Sequence, residues 1–443
     1  MSKESPAKSR WPIIIELGLL ALIGAGLVNT AWFLYYQGYL PQPFFYGSQS
    51  LFTDWTVSAF FSHNPGTYTS FESVYPPLSF IFLKIFSISA CYDQDDILSA
   101  RDCDWMVPVT LLFFFFVNVV VAFYSYRAVD RRTAWMRTLA ICFGLPSIYA
   151  LERGNLIIPC MTFFMLGTGR ALKSARVKWV CEAIAINFKP YLVLGLAGPL
   201  LRRKWRAVEG VALAGLLVYG ATFAIFGEGD PMTVVSNILA FNTTDARGIF
   251  ERAIYASSYK PIMDLIGSNF PLIHFLGSQP VETLEWVLPL LVNLGRGGIA
   301  FCFLVALIRP GRIPTHRLVA LAIAWPLITQ DPGGYAVVFF FFLVFMEPWR
   351  GGFRIAALVI TYLASVPFDV IIMKFAHQLI DSYLTQREVG YDLGLNVGEV
   401  SRPALNLLIV YCLVCASLVD AAKGVRVKGE ARAPLGDPLP EAS

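Results

Sequence analysis

Residues 13–36 read IIIELGLLALIGAGLVNTAWFLYY, an almost continuous apolar run near the start of the chain. A helix needs about 20 apolar residues to cross the hydrocarbon core of a bilayer, so this run is long enough. It is also longer than the apolar region of a secretory signal peptide, and no small-residue cleavage site follows it. The run therefore predicts a retained first membrane span.

Similar runs recur along all 443 residues, of which 56% are hydrophobic and only 15% charged; the mean hydropathy is +0.58. Soluble domains carry roughly 25% charged residues, so too little polar sequence remains here to cover a soluble core. We predict an all-α, polytopic integral membrane protein with about ten full spans. The predicted spans are Ile13–Tyr36, Trp105–Tyr126, Ala134–Leu151, Leu156–Leu172, Ala207–Phe226, Leu284–Ile308, Leu318–Thr329, Tyr335–Phe345, Phe353–Met373 and Ala404–Val419.

Basic clusters alternate with less basic loops along the chain. Under the positive-inside rule the basic clusters face the cytoplasm; they are Met1–Arg10, Arg127–Arg137, Arg170–Lys178, Arg202–Arg206, Arg309–Arg317, Trp349–Arg354 and Lys423–Arg432. This orientation predicts a cell inner-membrane protein with both termini in the cytoplasm, residues 1–10 and a disordered tail 423–443, flanking one membrane-embedded domain, residues 11–422. The long outer loops are 37–104, 227–282 and 374–403, and loops of that length are expected to have structure of their own.

Two segments are expected to enter the membrane without crossing it. The stretch from Trp179 to Leu201 is apolar, has basic flanks on both sides and is interrupted by Lys189-Pro190. This pattern predicts a re-entrant hairpin with the helix-breaking proline near its tip. Pro76–Ser89 could be a full span, but we expect a helix lying along the outer interface, because a crossing there would put the acidic loop Cys91–Asp104 inside and invert every later loop.

The positions of the cysteines predict a packing role for most of them. Most of the eight lie within apolar segments and resemble small hydrophobic residues. Cys91 and Cys103 instead flank a polar outer loop, where they either form a disulfide or remain free thiols. No cysteine or histidine spacing suggests a metal site, and neither a cofactor nor a nucleic-acid partner is predicted.

Several unusual polar residues fall on the predicted outer side. The residues in question are Asp54 and Trp55 in the first loop, Tyr75 before a Pro-Pro pair, Glu152, Arg153 and Asn155 in the next turn, Lys189 at the hairpin tip and Asp331 in a later turn. Ionisable groups near the hydrocarbon are costly and are usually paired or functional. Their shared side predicts one polar pocket.

Each of these residues also has a structural interpretation. Asp54 could be one more acid in a wet loop, Arg153 could extend its charged end to the interface, and Asn155 could cap the next helix. Lys189 is harder to explain structurally, because a hairpin tip bounded by apolar residues does not need a charge in order to fold.

The motifs, taken in order, resemble those of GT-C glycosyltransferases. The resemblance includes an outer-loop aspartate at Asp54, then Tyr75-Pro76-Pro77-Leu78, and the turn Arg153-Gly154-Asn155. Phe188-Lys189-Pro190 and the basic exit that ends at Arg206 resemble glycosyltransferase family eighty-seven, which contains polyprenyl-phosphate-mannose-dependent mannosyltransferases. The resemblance covers roughly residues 54–206. Family members often carry paired histidines in a later outer turn, whereas residues 330–335 read QDPGGY here, so neither the sugar nor its acceptor is specified.

The resemblance implies transfer of one hexose or pentose, with inversion, from a polyprenyl-phosphate donor to a glycan or glycolipid acceptor. It implies that Asp54 is the catalytic base. The departing phosphate must be held and neutralised, and Lys189 and Arg153 are the natural candidates to do so by charge-assisted hydrogen bonds. Asn155 could orient sugar or phosphate oxygens, and Tyr75 and Trp55 could either stack on a sugar ring or only anchor the interface. Glu152 and Asp331 are further candidates for substrate contact, although Asp331 could instead pair with a cation or with Lys189. Two alternatives stay open, a lipid-linked glycan ligase or polymerase and a transporter of a lipid-linked saccharide. Against transport, the sequence shows one interrupted hairpin and no matching second one.

Overall fold

The computed structural model describes residues 10–44, 51–93, 96–240, 256–267, 277–330, 333–382 and 384–423. Over these ranges the chain is mostly helical, as predicted, but it also contains a two-stranded antiparallel sheet that the all-α prediction lacked. The predicted cytoplasmic N-terminus and the predicted disordered tail lie almost wholly outside these ranges. Asp331 also lies outside the described residues.

The helices form two groups along the chain. Those of the first half are α1 (Trp11–Gln37), α2 (Thr53–His63), α3 (Pro77–Ile85), α4 (Ile97–Cys103), α5 (Met106–Arg127), α6 (Ala134–Phe143), α7 (Leu145–Arg153), α8 (Ile157–Thr168), α9 (Ala175–Phe188), α10 (Ala197–Leu201) and α11 (Trp205–Phe226). The second half contains α12 (Pro231–Ala240), α13 (Lys260–Ile266), α14 (Ser278–Ile308), α15 (Thr315–Thr329), α16 (Val337–Val344), α17 (Gly352–Ala364), strands β1 (Ile371–Asp381) and β2 (Glu388–Asn396), and α18 (Val397–Ala422). Short 3₁₀ helices occupy Ser89–Tyr92, Pro190–Leu196 and Gly334–Ala336.

Six helical segments in the described part of the chain are long and apolar enough to cross a bilayer. They are Trp11–Gln37, Met106–Arg127, Ala134–Arg153, Trp205–Phe226, Ser278–Ile308 and Val397–Ala422. These segments match six of the predicted spans and support a membrane protein. The remaining predicted spans correspond to the shorter helices α8, α15, α16 and α17, so the total of about ten crossings stays a prediction.

The predicted span Phe353–Met373 is wrong in its second half. The helix α17 ends at Ala364, and Pro367 follows, which disfavours helical geometry in the residue before it. The apolar residues beyond Pro367 continue instead into β1, which pairs with β2 in the register Ile371↔Asn396 to Asp381↔Glu388. A β-hairpin therefore fills most of the predicted outer loop 374–403.

The short helix α3 lies where an interfacial segment was expected. Its nine residues give a length of roughly 14 Å, well below the about 30 Å of a hydrocarbon core. It packs against α2, α9 and α11. The segment Pro76–Ser89 therefore contains no helix long enough to cross.

The chain reverses direction at Lys189. The helix α9 ends at Phe188, Lys189 is extended with φ −135° and ψ 96°, and Pro190 begins a 3₁₀ helix that leads into α10. Lys178, before the break, and Lys204, after it, line the same cavity. The segment before Lys189 therefore begins close to where the segment after it ends, and Lys189 lies at the far end of both.

A disulfide joins the two cysteines whose state the sequence left open. Cys91 in the 3₁₀ helix is bonded to Cys103 at the end of α4. The bond closes a loop of polar residues beside α2, since α4 packs against α2. It therefore ties together the layer of short helices formed by residues 51–104.

Two buried ion networks join the helices at the ends that carry the basic clusters. Glu16 of α1, fully buried, accepts hydrogen bonds from Arg137 Nη2 at 2.9 Å and from Tyr362 Oη at 2.7 Å. Arg137 also donates to the carbonyl oxygen of Glu347 at 2.9 Å, while the Glu347 carboxylate lies 2.6 Å from Nη2 of Arg317. Because buried charges are stable only when paired, these contacts fix the relative positions of α1, α6, α15 and α17.

Candidate functional site

Asp54 lies in the first turn of α2, and its carboxylate is held by two residues of the turn after α7. Arg153 Nη2 lies 2.6 Å from Asp54 Oδ1, and Asn155 Nδ2 donates to Asp54 Oδ2 at 2.7 Å. Both members of the Asp54–Arg153 pair have side chains that are 14% exposed. The pair is therefore largely shielded but still reachable from solvent.

The turn that supplies Arg153 and Asn155 is built by a glycine with positive φ. Gly154 has φ +66°, and the N–H of Asn155 donates to the carbonyl oxygen of Ala150 at 2.8 Å, which closes the end of α7. Asn155 Oδ1 accepts the N–H of Ile157 at 3.0 Å, at the start of α8. Asn155 therefore binds the first N–H of α8 from the residue just before the N-cap Leu156, and its amide nitrogen contacts Asp54 at the same time.

Lys189 joins this group from the tip of the reversal after α9. Its Nζ lies 3.1 Å from Tyr75 Oη and 4.5 Å from the centre of the Tyr75 ring, and the side chain is buried. The Lys189 charge is also close enough to act on the Asp54 carboxylate. Residues far apart in sequence thus form one group, the Asp54 cluster, defined by Asp54, Arg153, Asn155, Lys189 and Tyr75.

The electrostatics of the cluster keep Asp54 ionised. Burial by itself would raise the pKa of Asp54, but the charge of Arg153, the hydrogen bonds from Asn155 and Arg153, and the charge of Lys189 outweigh it. The pKa of Asp54 therefore lies below its usual value. At neutral pH the cluster presents one carboxylate between two cations.

No protein-family model matches this chain, and no curated protein or solved structure shows significant similarity to it.

The other residues predicted for the site take different positions. Glu152 is buried next to the cluster, and its charge acts on Arg153, while its carbonyl oxygen accepts the N–H of Phe52 at 2.9 Å. Trp55 is fully buried, with the centre of its ring 5.8 Å from the centre of the Phe82 ring. A ring with no exposed surface cannot stack on a sugar, so the proposed sugar contact of Trp55 is corrected to a packing role beneath the cluster.

Residues that the sequence reasoning missed also surround Arg153. Tyr149 and Tyr335 both interact electrostatically with the Arg153 guanidinium, and their rings lie 5.4 Å apart. Tyr149 precedes Arg153 by four residues in α7, so helical spacing could have indicated a shared face. Tyr191, two residues after Lys189, has a buried hydroxyl for which no hydrogen-bond partner is found within the described residues.

The described residues contain no group of three or more histidine, cysteine, aspartate or glutamate side chains arranged to hold a metal ion. The chemistry of the cluster is that of a single carboxylate with amide and cationic donors. Such a group can accept a proton at Asp54 and can bind a phosphate at Arg153 and Lys189 by charge-assisted hydrogen bonds.

The close approach at Gly154 gives a prediction about stability. A Cβ at this residue would lie 2.9 Å from Phe52 Cα and 3.2 Å from Trp55 Cβ, in addition to the strain of a positive φ. We expect Gly154→Ala to destabilise the protein by about 3 kcal/mol, because strain and overpacking add. Gly227→Ala is the matched control, since Gly227 has φ +70° but nothing within 4 Å; it should cost roughly 1 kcal/mol. Equal shifts of the thermal unfolding midpoint for the two variants would contradict the close packing of α2 on this turn.

Proposed function

We propose that this protein transfers a single sugar from a polyprenyl-phosphate donor to a glycan or glycolipid acceptor, with inversion at the anomeric carbon. The observation that carries the proposal is the arrangement of Asp54 between Arg153 and Lys189. A phosphate leaving group is a weak base and needs no general acid, so one carboxylate and a cationic phosphate site are sufficient. Glycoside hydrolysis, in contrast, uses a pair of carboxylates because its leaving group is poor.

In the proposed reaction, the acceptor hydroxyl oxygen attacks the anomeric carbon from the face opposite the phosphate. The bond between the anomeric carbon and the phosphate oxygen breaks, and polyprenyl phosphate leaves with the electron pair. The hydroxyl proton passes to Asp54. Lys189 and Arg153 stabilise the charge that develops on the departing phosphate, while Asn155 orients Asp54.

The ion pair between Asp54 and Arg153 suggests how the donor prepares the base. A carboxylate bonded to a guanidinium is a poor proton acceptor because its pKa is low. When the donor phosphate binds Arg153, it competes with Asp54 for the same guanidinium N–H groups. Asp54 then becomes more basic at the stage when a base is needed.

An apolar groove beside Lys189 suits the lipid part of the donor. Its volume is about 290 Å³, and it lies between the tip of the reversal, α11 and α12. Pro76 and Pro190, which line it, are the direct neighbours of Tyr75 and Lys189. A phosphate held at Lys189 would thus have its attached hydrocarbon chain in this groove.

The proposed orientation places the Asp54 cluster at the outer face of the inner membrane, with both termini in the cytoplasm. The Cys91–Cys103 disulfide supports it, since disulfides persist in oxidising compartments and are rare in the cytosol. The alternation of basic clusters with less basic loops supports the same orientation. The reversal at Lys189 suits a re-entrant hairpin, and α8, α15, α16 and α17 would supply the crossings beyond the six long helices.

The test is a transfer assay in sealed membrane vesicles of both orientations. Labelled polyprenyl-phosphate hexoses and pentoses are supplied with a membrane extract as the source of acceptor. Label should move into a new glycan or glycolipid, with inverted anomeric configuration, and only where the outer face is accessible to acceptor. The absence of transfer from every donor, with folded protein, would overturn the proposal in favour of a ligase, a polymerase or a transporter.

The low pKa of Asp54 leads to a prediction about pH dependence. Transfer needs the ionised carboxylate, so the rate should fall as the pH drops through that pKa. Arg153→Gln removes the cation that lowers the pKa, while the effect of burial, which raises it, remains. We therefore expect the acid limb of kcat/KM, measured at limiting donor so that it reports Asp54 before donor phosphate binds Arg153, to lie at higher pH in Arg153→Gln than in the wild type. Superimposable acid limbs would show that Arg153 does not control Asp54.

A further inference from the structure

A second cavity extends along α9 from Ala175 to Ile186, and its basic residues lie toward the end of α9 that is far from Lys189. Its volume is about 550 Å³, which is within the range of small-molecule sites. On one side it is enclosed by α9, the 3₁₀ helix after Lys189 and α10, residues 175–201, which we call the reversing segment. On the other side it is enclosed by α8, α15 and α16. Its inner walls are apolar and include Phe164, Leu192, Val319, Leu343 and Met346.

Three cations line the same cavity. Lys178 Nζ donates to the carbonyl oxygen of Gly169 at 2.6 Å, which places the ammonium group at the end of α8. Lys204 Nζ lies 3.3 Å from the hydroxyl of Thr315, and Arg170 is exposed at the same edge. Of the described residues that line the cavity, Glu182 is the one acid. The cavity therefore carries net positive charge beside an apolar interior.

The outer surface of the reversing segment indicates what surrounds the cavity on that side. Val177, Val180 and Leu200 are exposed apolar residues on its two limbs, and Trp205 is exposed at the start of α11. Exposed aliphatic residues of a membrane protein face lipid, and tryptophan is enriched at the interface. The segment that encloses the cavity on this side therefore borders lipid.

We propose that this basic cavity, defined by Arg170, Lys178, Lys204 and the apolar walls named above, binds an anionic lipid. The phosphate of the headgroup lies among the three cations, and one hydrocarbon chain enters the cavity. Basic groups near a membrane surface attract anionic headgroups, and the apolar walls exclude water from the chain. The proposal is independent of the reaction at Asp54.

The test places the full-length protein in nanodiscs that contain both phosphatidylglycerol and phosphatidylcholine. Native mass spectrometry then counts the lipids that stay bound when the protein is released. The wild type should retain phosphatidylglycerol over phosphatidylcholine by at least about tenfold. The double variant Arg170→Gln/Lys204→Gln should lose most of this preference. Arg206→Gln is the matched control, because Arg206 is an exposed cation of the same cluster that does not line the cavity.

Two filling variants test the interior without changing any charge. A Cβ at Gly195 would make ordinary contact with Val319 at 3.5 Å, so Gly195→Leu should fit and occupy the cavity. Ala207→Phe fills it from α11. Loss of retained phosphatidylglycerol in either folded variant supports the proposal. Unchanged retention in both variants would overturn it. So would a loss in Arg206→Gln equal to that in the double variant, or displacement of the lipid by glycerol phosphate or inorganic phosphate at matched concentration.

Discussion

Replacing Asp54 by asparagine should lower the rate of sugar transfer by about 10²–10⁴-fold while the protein stays folded. The amide has the shape of the carboxylate, and its oxygen can still accept a hydrogen bond from Arg153 or Asn155. It cannot accept the proton of the acceptor hydroxyl. The loss should therefore appear as a lower turnover number at saturating donor and acceptor, measured with the labelled donor that the wild type uses.

A control must show that the lower rate of Asp54→Asn comes from loss of the base and not from misfolding or from the change in local charge. Asp93→Asn is the matched control, because Asp93 is an exposed acid in the same layer of short helices and lies outside the cluster. It should retain the wild-type rate, and both variants should elute as monodisperse protein with a measurable unfolding transition. Wild-type turnover in a folded Asp54→Asn variant would remove the proposed mechanism.

Lys189→Ala should weaken donor binding by about 10–100-fold and leave acceptor binding unchanged. A hydrogen bond to a charged group contributes about 1.5–3 kcal/mol, and each 1.4 kcal/mol corresponds to a tenfold change in affinity. Lys189 lies at the reversal beside the apolar groove, so its ammonium group is placed to hold the donor phosphate. Titration of the two substrates separately, with the Asp54→Asn variant as the background to prevent turnover, measures both affinities.

Lys84→Ala is the control for this lysine. Lys84 also places its ammonium group over an aromatic ring, 4.8 Å from the centre of Phe226, but it is exposed and outside the Asp54 cluster. Its removal should leave donor affinity within about twofold of the wild type. Equal donor affinities for Lys189→Ala and the wild type would exclude the phosphate role of Lys189.

Hydropathy predicted the long helices well and failed where apolar content did not specify secondary structure. Ile13–Tyr36 and Trp105–Tyr126 match α1 and α5 closely because about 20 apolar residues in water-free surroundings form a helix. Residues 368–373, which the predicted span included, are also mostly apolar but lead into a strand. Periodicity cannot distinguish these outcomes over a short run, and the proline was the one local signal for the end of the helix.

The composition of the Asp54 cluster was predictable because the pattern of basic residues predicts which loops lie on the same side of the membrane. The positive-inside rule placed Asp54, Arg153 and Lys189 on one face, and the structure brings them together. The specific pairing of Asp54 with Arg153, about a hundred positions apart, depends on how α2 packs on the end of α7. The burial of Trp55 also depends on this packing, and no local sequence pattern predicts it.

The ion network around Glu16 has a consequence for the biogenesis of the protein. The first helix enters the membrane during synthesis with a carboxylate among apolar residues, and the guanidinium that neutralises it belongs to Arg137, which is synthesised much later. Until α6 arrives, Glu16 lacks this partner, and a position at the interface is favoured because an unpaired charge is costly in hydrocarbon. The contacts that hold Glu16 in its final place therefore come from residues more than a hundred positions downstream, Arg137 and Tyr362, so α1 cannot make them until those parts of the chain have been synthesised.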